Sequence, residues 1–175
     1  MGKDVFELFE MLEHKKESLL QDLVKEPKEN LMTKEAEGKW SVHQVLLHLI
    51  SSEKGSLGYL KKKSKSTNLK KINISARFRY SLLNTALKLP IKFKMPSVLS
   101  APKNDVSFDE IILEYSNCRK ELKAFLNENS KLYTDKLVFR HPIAGRLSLK
   151  QAIQFMNDHF DHHLKQIDRI LKSVR

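Results

Sequence analysis
The chain has little of what would hold a small domain together covalently or anchor it in a bilayer. Among 175 residues there is a single cysteine, Cys118, so an intramolecular disulfide framework is excluded and a reducing compartment is expected. No run of about eighteen apolar residues occurs, and the first residues lack the apolar stretch of a secretory leader, so a cytoplasmic protein is expected. Only five glycines are present, and Gly-rich phosphate loops, Cys-x-x-Cys pairs and Gly-x-Ser-x-Gly elbows are all missing. Between Lys54 and Lys103 there is no aspartate or glutamate at all, against thirteen lysines and arginines. The rest of the chain carries nineteen basic and twenty-one acidic residues, so the whole net charge of +11 belongs to that one segment. Such a block suits nucleic acid, an anionic membrane surface or an anionic substrate, or it is a solvated connection whose lysines keep the chain soluble. No nucleic-acid-binding motif accompanies it, so nucleic acid is the less expected partner, and a membrane partner is not expected.

What the chain does have is helical periodicity. Four long amphipathic patterns stand out, and no alternating strand pattern does. The first carries Val5, Leu8, Phe9, Leu12, Leu19 and Leu23 and ends before Pro27. The second opens at Ser41, a good N-cap, and runs to about Lys63 with a stripe of Val42, Val45, Leu46, Leu49, Leu57 and Leu60. The third begins near Ser107, with Asp109 and Glu110 placed to favour the helix dipole. The fourth opens at Ser148, after a loop from His141 to Leu147. Four such helices predict an all-α four-helix bundle in one domain. The second and third are joined by roughly forty residues, long for a compact domain. Residues 74–89 there predict a short extra helix, and Pro90, Pro96 and Pro102 break up the remainder. Cys118 falls within the third helix, where packing is a better reading than nucleophile.

The fourth helix holds the chemistry. His159 and His163 are four residues apart, just over one turn, so both imidazoles project from one face and can reach one ion. His163 occupies the slot where the apolar seam of Leu149, Ile153, Met156, Phe160, Ile167, Ile170 and Val174 calls for its next member. A polar ring in a bundle core is costly unless something satisfies it, and a metal is one such partner. His48 borders the stripe of the second helix beside the small Ser52. His43, five residues earlier, lies around the helix from His48 and cannot share its ion. Three neutral imidazoles from two helices would leave positions open for water or substrate, as in catalytic metal sites. The alternative is chance spacing on a solvated face, which is the reading preferred for His162 and His14.

The stretches Gly38-Lys-Trp-Ser-Val-His-Gln-Val-Leu-Leu-His48-Leu, His141-Pro-Ile-Ala-Gly145-Arg-Leu-Ser-Leu149 and His159-x-x-x-His163-x-x-Gln166-Ile167 together resemble the DinB-like superfamily of metal-dependent hydrolases and thiol transferases. The resemblance spans nearly the whole chain, residues 1–175 as one domain. It implies an up-down-down-up four-helix bundle whose divalent metal is held by His48, His159 and His163. Trp40 matches an aromatic packing position, and Gln166 a polar position of open role. Relatives of this kind include S-transferases using bacillithiol or mycothiol and glutathione-dependent isomerases. The expected activity is therefore transfer of a low-molecular-weight thiol to an electrophile. Metal-dependent hydrolysis by bound water, or non-catalytic binding of a metal or small ligand, are the alternatives. Zinc or nickel is the first expectation for the ion, with iron or manganese next. The expected partners are a small-molecule substrate and a second copy of the chain in a homodimer. The basic 54–103 connection lies outside the shared pattern.

Overall fold
The computed structural model describes residues 3–88, 102–142 and 144–175. Its elements in chain order are α1 (Val5–Leu23), α2 (Lys28–Met32), α3 (Val42–Ser64), α4 (Ile74–Lys88), α5 (Phe108–Asn129), β1 (Leu137–His141), β2 (Gly145–Ser148) and α6 (Leu149–Val174). Each of the four long helices begins with a capping box. The side chains of Asp4, Ser41, Ser107 and Ser148 accept the backbone N–H of Glu7, Gln44, Glu110 and Gln151, whose own side chains reach back to the cap. A cap of this kind contributes about 1 kcal/mol and, more usefully, fixes where the helix starts. Hence the starts expected at Ser41, Ser107 and Ser148 coincide with the observed ones. Before α3 the chain turns at Gly38, whose φ of 72° is open to glycine and strained for other residues.

The fold is mostly helical, as expected of an all-α chain. α1 packs against α5 and α6, and α3 packs against the same two helices. Their apolar faces meet in one buried cluster that includes Phe9, Leu12, Leu46, Leu49, Ile111, Leu122, Ile153 and Phe160. The short α2 was not foreseen. Nor was the strand pair, and here the sequence reading needs correction. β1 and β2 form an antiparallel hairpin where a loop from His141 to Leu147 was expected. Its pairing shifts between Leu137 and Phe139, so Leu137, Val138 and Phe139 are all buried and the period-two signature of a strand is lost. The hairpin runs directly into the Ser148 cap, and so sets the direction from which α6 starts.

The extra helix expected over 74–89 is α4, and Leu89 lies outside the described residues. So do Pro90 and Pro96. α4 packs on α6 and β2. Arg79 Nε donates to the Ala144 carbonyl at 3.0 Å, and Leu83 is buried in the core cluster. Tyr80 Oη and Asn84 Nδ2 each donate to Asp158 Oδ2 of α6 at 2.7 Å. This part of the basic connection is therefore docked rather than freely solvated. Among the described residues, no helix is long and apolar enough to cross a membrane.

Candidate metal centre
α3 and α6 bring three histidines together. The ring centroids of His48 lie 5.3 Å from His159 and 4.8 Å from His163, and those of His159 and His163 are 4.6 Å apart. Each ring offers one nitrogen, and these three atoms lie within 4.8 Å of one another. The Nε2 atoms of His159 and His163 approach to 3.1 Å. Two nitrogens each bound at about 2.1 Å to one ion, at octahedral or tetrahedral angles, would stand roughly 3.0–3.4 Å apart. The pair on α6 is thus already at ligand spacing, and a modest inward move of the third donor would complete a tripod.

The surroundings keep these rings in the ligand form. Burial lowers the pKa of His48, of His159 and of His163, the last to about 4, and neighbouring histidine charges push His159 and His163 the same way. Neutral imidazole is the form that donates a lone pair to a metal. Nδ1 of His163 is 2.8 Å from Gln166 Oε1. An amide oxygen only accepts, so the proton sits on Nδ1 and the Nε2 lone pair is directed at the centre; the tautomer follows from this partner. That contact supplies the role of Gln166, which the sequence left open. The walls are aromatic: Trp40 lies 5.2 Å from His48, and the Phe155 ring stacks on His159 at 5.5 Å.

The remaining histidines fall elsewhere. His14 is exposed on α1. His43 is buried on α3, stacked on Phe108 at 5.9 Å and away from the cluster, as its position around the helix required. His162 is half-buried beside His163 at 5.2 Å and outside the three-donor group. His141 escaped the sequence reading as a site neighbour. It is buried at the end of β1, its ring 4.5 Å from Phe155, and its Nδ1 accepts the Ala144 N–H at 3.1 Å. Burial lowers its pKa to about 4. The irregular hairpin hid the strand that places it. Cys118 is buried, and burial together with the Glu53 charge raises its thiol to about 12, which suits packing and not nucleophilic attack.

A second polar cluster is buried between α1, α3 and α5. Glu53 receives Arg119 Nε at 2.6 Å, Arg119 Nη2 at 2.9 Å and the Tyr115 hydroxyl at 2.9 Å. Arg119 Nη1 also reaches Glu13 at 3.5 Å, and Glu13 pairs with Lys16. The sequence carried a signal for it: Glu53 fills the stripe position between Leu49 and Leu57, much as His163 fills a gap in the seam of α6.

In a mostly helical chain, three imidazoles meet from two helices in an arrangement that could hold a metal ion. A family model extends that conclusion to descent: the DinB superfamily matches residues 9–167, and the chain belongs to it. That superfamily is generally metal-binding. Among curated proteins the chain is similar to YuaE of Bacillus subtilis (strain 168), described as uncharacterized, with 27% identity over 146 residues, 83% of this chain and 86% of the relative.

Proposed function
We propose that this protein is a divalent-metal-dependent enzyme in which His48, His159 and His163 each give one nitrogen to the ion, and that it joins a low-molecular-weight thiol to an electrophile. The observation that carries the reading is the convergence of three donor atoms within 4.8 Å, two of them 3.1 Å apart. The framework we propose is the up-down-down-up bundle of a single domain. Lys54 pairs with Glu114 and Lys61 with Glu121, a constant offset that supports parallel α3 and α5. Lys123 pairs with Glu10 and Arg119 with Glu13, where one number rises as the other falls, supporting antiparallel α1 and α5.

A bound divalent cation would supply positive charge that lowers the pKa of a coordinated thiol or water. The chain's own groups favour the thiol. The two carboxylates flanking the histidines in sequence are engaged elsewhere, so neither stands free as a base for a hydrolytic water. Asp158 accepts from Tyr80, Asn84 and Gln154, and Asp161 pairs with Lys15. A thiol ionises more readily than water even before it meets an ion, and its proton would pass to solvent as the sulfur bonds the electrophile. Gln166 would orient His163, and the Trp40 and Phe155 rings would hold His48 and His159 in place by packing against them. The test is turnover of an electrophilic substrate, measured with and without bacillithiol, mycothiol or glutathione and before and after chelation. Thiol-dependent, chelator-sensitive product formation is expected. Product formed by metal-loaded protein without any thiol would favour the hydrolase instead.

A further inference from the structure
The face of α4 turned away from the protein presents Ile74, Phe78 and Leu82, which are 85%, 64% and 56% exposed. At spacings of four they form one line along the helix. The other large exposed apolar residues among those described, such as Val24, Leu113 and Leu132, lie outside α4. The line is not a core face that failed to dock. The opposite side of the same helix is already engaged through Arg79, Tyr80, Leu83 and Asn84. α4 is thus fastened by one face and shows an apolar stripe on the other, an arrangement that costs solubility unless something covers it.

Charge decides what that is. The segment from Lys54 to Lys103 has thirteen basic residues and no acidic one. Lys62, Lys65, Lys70 and Lys71, all exposed, lead up to α4. Two copies meeting stripe to stripe would bring two sets of exposed lysines, Lys62, Lys65, Lys70 and Lys71, towards one another, which disfavours a second copy of the chain. A nucleic acid would use the lysines and leave the phenylalanine and the aliphatic side chains without a purpose. A surface that takes both is an anionic lipid headgroup layer, where apolar side chains enter the acyl boundary and lysines meet the phosphates. We infer that α4 docks the protein in the plane of an anionic membrane surface, through Ile74, Phe78 and Leu82, with the lysines of residues 62–71 at the headgroups. The sequence alone offers an anionic membrane surface as one partner of the basic block but leads to none being expected; a helix lying in the interface needs no run long enough to span. This inference does not rest on the proposed reaction.

The experiment is sedimentation of the full chain with vesicles of phosphatidylcholine alone, or with about 30% phosphatidylserine or phosphatidylglycerol. Wild type is expected to bind the anionic vesicles, to bind neutral ones at least tenfold more weakly, and to release in about 0.5 M salt. The triple variant Ile74→Ser, Phe78→Ser, Leu82→Ser should bind anionic vesicles at least tenfold more weakly, with unchanged thermal unfolding and unchanged bound metal. Leu113→Ser, altered at an exposed apolar site on α5, should bind as wild type does. Equal binding by wild type and the triple variant would reduce the effect to charge alone and overturn the inference. So would a triple variant that unfolds at lower temperature, since the stripe would then be covered by the chain itself. A dimer in light scattering that the triple variant abolishes would overturn it in favour of a second copy.

Discussion

Between α1, α3 and α5 the protein buries an ion cluster, and between α3 and α6 it gathers a half-buried histidine cluster. In the first, the Glu53 carboxylate faces the Arg119 guanidinium and the Tyr115 hydroxyl, and no buried nitrogen or oxygen of these three is left without a partner. Charge balances inside the cluster, and burial of Tyr115 beside Glu53 raises its pKa well above the usual range, so the hydroxyl stays protonated and donates. In the second, three imidazoles of the same polarity converge, with no carboxylate among the grouped donors and one amide, Gln166, holding a ring from behind. Buried groups that satisfy one another lock helices in place. Imidazole nitrogens gathered from two helices within 4.8 Å are instead a donor set that one ion could share. The two clusters share α3, with Glu53 and His48 little more than one turn apart, so the first also fixes the rotation of the helix that presents His48.

The largest expected effect separates them on stability. Arg119→Met leaves the Glu53 carboxylate buried without its cation and should cost about 3–5 kcal/mol in denaturant unfolding. Adding Glu53→Leu should recover most of that loss. If Arg119→Met instead unfolds like wild type, the ion cluster is not what orders the helices. Next comes the support behind the ligand. Gln166→Ala frees the His163 ring and should weaken metal binding by roughly 10–100-fold while leaving unfolding of the metal-free protein within about 0.5 kcal/mol. Competition with a fluorescent chelator reads the first quantity directly.

The smallest effect concerns His43, a buried histidine that belongs to neither cluster. Both of its ring nitrogens lack a hydrogen-bond partner among the described residues; the Val106 backbone beside the ring favours the charged form but does not outweigh burial, which lowers the pKa. The unfolded chain therefore takes up this proton more readily than the folded one, so its contribution to stability is full above about pH 6.5 and is lost as pH falls towards the lowered folded value. His43→Leu should change stability at neutral pH by no more than about 1 kcal/mol and make the acid limb of the stability profile shallower. An acid limb as steep as that of wild type would assign the protons to other groups.

How much of this was legible in the sequence follows from range. Helix starts are local events: Ser41, Ser107 and Ser148 cap within three residues, so four letters suffice to read each. The pair His159 and His163 is also local, and His48 was reachable because its helix and stripe were clear. The hairpin was not, since the shift between Leu137 and Phe139 erases alternation in two strands of five and four residues. The Glu53–Arg119 contact joins residues 66 apart, and periodicity indicates only that Glu53 faces inward, not what meets it. The outward stripe of α4 was equally hidden. The sequence predicts a short helix over residues 74–89 without saying which face turns in, and only the docking of Arg79, Tyr80 and Asn84 shows that Ile74, Phe78 and Leu82 are turned out.

The central claim is that the three-histidine cluster holds one divalent ion. Elemental analysis of protein purified without a metal-chelating column tests it most directly, on wild type, His48→Ala, His163→Ala and His162→Ala in parallel. Wild type and His162→Ala should carry about one zinc, nickel, iron or manganese ion per chain, and His48→Ala and His163→Ala close to none while remaining folded. Metal retained in His48→Ala and His163→Ala, or lost equally in His162→Ala, would contradict the assignment.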